Sequence, residues 1–174
     1  AKLRGCHAIG IAGGAEKCRY AVETLGFDIC LDHQAPDFAV QLKRACSKGI
    51  DVYYENVGGA VFDAVLPLLN TKARIPVCGM ISQYNGHHSD HQQDRLPLLM
   101  STILKKRMRV EGFIISQDYG DRYPEFYAQM STWLAQGKIA FKEDIVEGLE
   151  NSISAFQGLL SGKNFGKLII KVAE

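Results

Sequence analysis

The sequence predicts an α/β fold: an open, doubly wound parallel sheet of Rossmann type. Three observations predict it. Short apolar runs alternate with amphipathic helical stripes across residues 6–138. The first apolar run passes through Gly13 and Gly14 straight into a helical stripe, which is half of a βαβ unit. The later runs end in Asp32 and His33, in Asn56, in residues 82–84 and in residues 113–116. In a parallel sheet such ends can face one crevice, where ligands of this fold class bind.

Taken in order, AKLRG reads as the end of a helix, with Lys2 and Arg4 in its last turn and Gly5 as its C-cap, so the chain is expected to begin mid-domain. Ala8, Ile9, Ile11 and Ala12 form a buried strand, and Cys18, Ala21, Val22 and Leu25 share the face of the helix that follows. In a dinucleotide fold the second strand ends beside the adenosine ribose, where an NAD enzyme places an acidic residue. Here that strand ends in Ala12, Gly13 and Gly14, and Lys17 follows within one helical turn. A small uncharged turn beside an ammonium suits a 2′-phosphate; the same residues also describe an ordinary strand–turn–helix with a solvated lysine.

Residues 27–31 make the next strand, and Pro36 and Asp37 open a helix with Phe38, Leu42 and Ala45 on one face. Residues 50–55 form a β-branched and aromatic strand closed by Asn56-Val57-Gly58-Gly59. A helix carrying Phe62, Val65, Leu66 and Leu69 follows, with Pro67 expected to kink or shorten it. Residues 74–81 are a strand whose Pro76 predicts an irregular or edge-like part near its start. After a polar loop over residues 82–94, Leu96, Leu99, Met100, Ile103 and Leu104 give the strongest helical stripe, closed by basic residues that suit the helix dipole. Residues 109–115 form a further strand, and Phe126, Met130, Trp133 and Leu134 line a helix ending at Gly137. A strand over residues 139–145, a helix capped by Asn151 with Ile153, Phe156 and Leu160 inward, and a terminal strand over residues 167–172 complete the chain.

Bulk properties narrow the function. The 174 residues are 47% hydrophobic and 22% charged, as in a soluble globular protein with one good core. A net charge of +1 gives no electrostatic case for nucleic acid or an anionic membrane. No apolar run reaches the length of a transmembrane helix, and no signal peptide is visible. Cys6, Cys18, Cys30, Cys46 and Cys78 are widely spaced, without a CxxC pair, which argues against a disulfide scaffold and for a reducing, cytoplasmic home.

Read together, GGAEK, YYENVGG, ARIPVCGMISQYN, VEGFII and GKNFGK resemble one family: the zinc-independent medium-chain dehydrogenase/reductases, in particular the NADPH-dependent prostaglandin reductase and curcumin reductase group. Any one motif is weak; five in order along nearly the whole chain are specific. The resemblance implies that the first Rossmann strand and the glycine-rich pyrophosphate loop lie before Ala1, since no GxGxxG occurs here. It implies a cofactor domain over residues 1–138 and, over residues 139–174, a segment returning to a GroES-like substrate domain.

For the site, the resemblance implies NADP(H) as cofactor. Gly13 and Gly14 form the turn and Lys17 meets the 2′-phosphate. His33 lies near the adenosine end and Asn56 against the cofactor. Cys78, Gly79, Met80, Ile81, Ser82, Gln83 and Tyr84 run beside the nicotinamide half. Phe113, Ile114 and Ile115 bracket its carboxamide, and Asn164 closes back over it. The implied reaction is NADPH-dependent reduction of a carbon–carbon double bond conjugated to a ketone or aldehyde, as in an enone or a curcumin-type substrate. Hydride goes to the β-carbon and charge builds on the carbonyl oxygen as an enolate. Tyr84 is the catalytic candidate, because a phenol, with a reference pKa of about 10, remains a donor at pH 7 and can stabilise that oxygen; a loop tyrosine packing on the crevice wall is the plainer alternative. The zinc branch takes its ligands from the substrate domain, so no metal is expected, and His87, His88 and His91 read as a solvated loop. Two other functions fit the same residues: a quinone reductase of the same superfamily, and a nucleotide-binding or oligomerisation module without turnover. A homodimer is expected through the edge strand at residues 109–115.

Overall fold

The computed structural model describes residues 1–84 and 95–173. In chain order its elements are β1 (Ile9–Ala12), α1 (Ala15–Glu23), β2 (Ile29–Asp32), α2 (Phe38–Ala45), β3 (Ile50–Val52), α3 (Gly59–Val65) and β4 (Leu69–Val77). Then come α4 (Leu96–Lys106), β5 (Arg109–Gly112), the short α5 (Ile115–Asp118), α6 (Tyr123–Ala135), β6 (Glu143–Glu147), α7 (Ser152–Leu160) and β7 (Lys167–Lys171). Every ladder between these strands is parallel, as the alternation of strand and helix predicts. The chain divides into two compact units, Ala1–Ala35 with Glu125–Glu174, and Pro36–Pro124.

In the first unit β1 pairs with β2, Ile9 opposite Ile29 through Ala12 opposite Asp32. The buried Cys18 and Ala21 of α1 share this unit's core with Ala8 and Leu31. Gly5 takes the left-handed conformation expected of a C-cap (φ 79°), behind a single 3-10 turn at Lys2–Arg4. Asp28 ties this end down by accepting from the Ala8 N–H and the Lys2 ammonium, both at 2.7 Å. Those bonds, the Lys2 bond foremost, hold its carboxyl below the usual range. The second ladder of this unit joins β6 to β7 with α7 as the connection, Glu143 opposite Lys167 through Glu147 opposite Lys171.

Two expectations fail on α7. Ile153, Phe156 and Leu160 are exposed instead of inward, because no described residue covers that face. Asn151 stands at the N-cap position, but its carboxamide donates to the Glu147 carbonyl (2.8 Å) and caps nothing.

In the second unit β4 lies between β3 and β5. Leu42, Val65, Leu69 and Ile75, each 1–2% exposed, form the sealed centre of its core. Each such side chain contributes about 1.5–3 kcal/mol relative to an exposed one. Leu69, expected on the helix, instead opens β4, because Pro67 confines Leu66–Leu68 to one 3-10 turn. The irregularity read from Pro76 falls earlier in the strand: the register slips between Ile50–Leu69 and Val52–Arg74, around Lys72 at φ 64°. Pro76 itself lies in a central strand, opposite Glu111. The strand expected to reach residue 115 ends at Gly112, and Ile115 begins α5. No helix among the described residues is long and apolar enough to cross a membrane.

Candidate functional site

The expected site residues fall into two sets, one in each unit. The first set surrounds the turn between β1 and α1. Gly14 holds φ 91°, a conformation that favours glycine. Its N–H donates to Asp32 Oδ1 at 2.9 Å, and so does that of Gln34. Asp32 therefore faces backbone amides, which hold its carboxyl below the usual range, the Gly14 N–H contributing most. A side chain at Gly13 would lie 3.1 Å from both the His33 imidazole and the Gln34 carboxamide, so the expected His33 does stand over the turn. Lys17, on the first turn of α1, donates to the Gly162 carbonyl at 2.6 Å. The expected Asn164 lies two residues beyond Gly162 and donates from its carboxamide to the Gly166 carbonyl at 2.9 Å.

The Asp32 contacts carry a pH prediction. Its folded pKa is lowered, so the stabilisation is full above the unfolded value of about 3.9 and is lost as the pH falls through the folded value. Asp32→Asn should flatten the fall in Tm on acidification from about pH 5 to about pH 2. Some of the fall remains, because Asp28 titrates in the same sense. Circular dichroism melts across that range check it; a fall as steep as that of the unsubstituted chain would contradict it.

The second set surrounds an open cleft of about 450 Å³ lined by Val77, Cys78, Gly79, Met80, Tyr84, Gly112, Phe113, Ile114 and Asp118. Two expected segments, residues 78–84 and 113–115, thus meet in one place, with only Ile81, Ser82, Gln83 and Ile115 off its wall. The backbone explains why. Past β4, Cys78 and Gly79 both donate to the Glu55 carbonyl, at 2.8 and 3.3 Å. Ile81 then donates to Asn56 and Ser82 to Val57, and a 3-10 turn at Ile81–Gln83 carries the chain to Tyr84. On the facing side Asp118 accepts from the Ile114 N–H at 2.6 Å, and Tyr119 packs edge-on against Phe113.

Gly79 sits at the centre of this set. A Cβ there would lie 2.7 Å from Asn56 Oδ1 and 2.8 Å from the Tyr84 hydroxyl. Three expected residues therefore share one point: the Asn56 carboxamide and the Tyr84 hydroxyl occupy the space that a side chain on residue 79 would take. The Tyr84 oxygen accepts from the Met80 N–H at 3.2 Å, so its own proton stays available to a further acceptor. Cys78 is hydrogen-bonded with Tyr54, which raises the Tyr54 phenol above its usual value.

Sequence reasoning missed Glu55. It is 4% exposed and the only buried charged residue among those described. Its Oε1 accepts from Val57 and Gly58, at 2.7 and 2.8 Å. Tyr53 hydrogen-bonds to it as well, and burial first, then the Glu55 charge, drives the Tyr53 phenol upward. The available signal was a carboxylate set directly before a turn that ends in two glycines, with amides that need an acceptor.

The zinc-binding dehydrogenase family matches over residues 1–136. The chain belongs to this family. The medium-chain dehydrogenase/reductase resemblance carried by the five motifs is thereby borne out, and the chain corresponds to the C-terminal, cofactor-binding part of such proteins. It is 64% identical over 172 residues to the NADPH-dependent curcumin reductase of Escherichia coli (strain K12), covering 99% of this chain and 50% of that protein. It is 38% identical over 174 residues to the NADP(+)-dependent 2-alkenal reductase of Nicotiana tabacum, covering 99% and 49%. Among solved structures, CurA from Vibrio vulnificus in complex with NADPH superposes with a TM-score of 0.96 at 60% identity, covering 99% of this chain and 51% of that one. The chain spans about half the length of the curated relatives it matches. The zinc-binding dehydrogenase family takes its name from a metal; among the described residues no group of three or more His, Cys, Asp or Glu could hold one. His87, His88 and His91 lie outside the described residues.

Proposed function

We propose that this chain is the cofactor-binding part of a zinc-independent, NADPH-dependent reductase of the carbon–carbon double bond in α,β-unsaturated ketones and aldehydes. Residues 1–138 form the cofactor portion and residues 139–174 return to a GroES-like substrate domain. The observation that carries the reading is the convergence of the Tyr84 hydroxyl and the Asn56 carboxamide on Gly79, beside a largely apolar cleft that Gly79 and Tyr84 line. That shape fits a flat ring carrying polar substituents. The NADPH-dependent curcumin reductase and NADP(+)-dependent 2-alkenal reductase relatives support the reaction class.

NADPH, when bound, supplies the hydride. The chain's own residues hold and polarise. Lys17 is the group for the 2′-phosphate: it stands on the first turn of α1, while Oδ1 of Asp32 accepts from the Gly14 and Gln34 amides. Met80, Phe113 and Ile114 give the open cleft an apolar wall beside the reacting carbons. Tyr84 is pinned at its oxygen by the Met80 N–H and donates its proton in a hydrogen bond to the substrate carbonyl oxygen as enolate charge develops.

The edge position of β5, with all four residues exposed, supports a homodimer through this strand. Five free thiols suit a cytoplasmic enzyme.

The test is NADPH oxidation by a chimera that places the N-terminal half of the Escherichia coli relative before this chain, with an enone and a quinone offered in parallel. Turnover of the enone well above the quinone is expected. A quinone preference would move the acceptor class, and no turnover with either would favour a non-catalytic module.

A further inference from the structure

The bond from Lys17 to Gly162 joins residues 145 positions apart. Through it the loop between α7 and β7 sits on α1, as it does through Phe165, whose ring meets Tyr20 edge to face with centroids 5.2 Å apart. Lys17 and Tyr20 are three residues apart, on one face of α1. Gly162 and Phe165 have the same spacing in the loop. Two points on the helix thus meet two points on the loop.

The loop is built to hold that pose. The Gly162 N–H closes the end of α7 on the Leu159 carbonyl at 3.0 Å, and Lys163 closes it on Gly158 at 2.9 Å. Gly162 stands at φ 72°, where glycine is favoured. The Phe165 N–H donates to Asp144 Oδ2 at 2.9 Å, and the Lys142 ammonium lies 3.5 Å from the Phe165 ring centroid. A side chain on Gly166 would overlap the Lys142 carbonyl oxygen, so the backbone there passes as close as glycine allows.

An ammonium carries three donors on a flexible four-carbon stem. One donor given to a fixed carbonyl sets the direction of the head and leaves two for an anion. We propose that Phe165 is a specificity-positioning residue: by seating the loop on Tyr20 it holds the Gly162 carbonyl against Lys17, and so pre-aims the ammonium at a 2′-phosphate. This rests on the reading of Lys17 given above and adds that the preference for a phosphorylated ribose depends on a loop distant in sequence. Pre-aiming spares the stem's freedom at the moment of binding.

The test is calorimetric titration of this chain with adenosine 2′,5′-bisphosphate and with adenosine 5′-monophosphate, which differ only in the 2′-phosphate. The chain should prefer the bisphosphate by about tenfold or more, and Lys17→Ala should remove that preference. Phe165→Ala should cut the preference about fivefold while leaving the monophosphate affinity unchanged, and Phe165→Leu, which keeps most of the packing volume, should cut it in the same sense. The double variant with Lys17→Ala should lose no more than Lys17→Ala alone, because both act through one ammonium. Lost preference in Lys17→Ala with full preference in both Phe165 variants would overturn this proposal and leave the reading of Lys17 standing. Equal affinity for the two nucleotides in the unsubstituted chain, or binding of neither, would overturn that reading and this proposal with it.

Discussion

Glu55→Ala is expected to destabilise the second unit by about 3 kcal/mol, since each buried donor left without an acceptor costs about 1–3 kcal/mol. The carboxylate is nearly sealed from solvent and serves two consecutive N–H groups, those of Val57 and Gly58. Alanine removes the acceptor and leaves a space that is polar on its walls. Glu55→Gln retains a carbonyl oxygen and should cost about 1 kcal/mol, the difference between a charge-assisted and a neutral acceptor. Urea denaturation followed by circular dichroism measures both. A midpoint for Glu55→Ala no lower than that for Glu55→Gln would show that the turn does not depend on this carboxylate. The loss should also reach the cleft, because the Glu55 carbonyl holds the amides of Cys78 and Gly79.

The second large effect is on catalysis. Tyr84→Phe in the active chimera should lower kcat for enone reduction about 10²-fold, the usual consequence of removing one donor from an oxyanion site. KM should change little, since the bond to the substrate oxygen strengthens only as charge develops there. Folding should be barely affected: Tyr84 is 64% exposed and gives up only an accepted bond from Met80. Steady-state kinetics beside a thermal melt separate the two effects. Unchanged kcat would leave Tyr84 as a wall residue and return the donor role to another group.

Much of this was legible in the sequence, for identifiable reasons. β1, α1, β2 and α2 were readable because each has a periodic apolar pattern and a glycine, proline or aspartate at its boundary. The meeting of residues 78–80 and 84 with residues 113–114 followed from the rule that parallel strands end on one side of a sheet. Leu69 was misplaced because an apolar run across Pro67 reads equally as helix or strand. The face of α7 was misjudged because periodicity states which side chains share a face and not whether anything covers it. Glu55 escaped notice because an acidic residue beside tyrosines reads as solvated until backbone amides are seen to enclose it. The Lys17–Gly162 bond has no local signature, since its partners are brought together only by the docking of a loop on a helix.

In the proposed function the β1–α1 turn, through Lys17, reads the cofactor's 2′-phosphate. Fluorescence titration of NADPH and NADH into this chain and into the chimera, each with and without Lys17→Ala, tests it most directly. Much tighter binding of NADPH than of NADH by the chimera is expected, with loss of the difference in Lys17→Ala. Equal binding of the two cofactors by the chimera, or a preference for NADPH that survives Lys17→Ala, would contradict it.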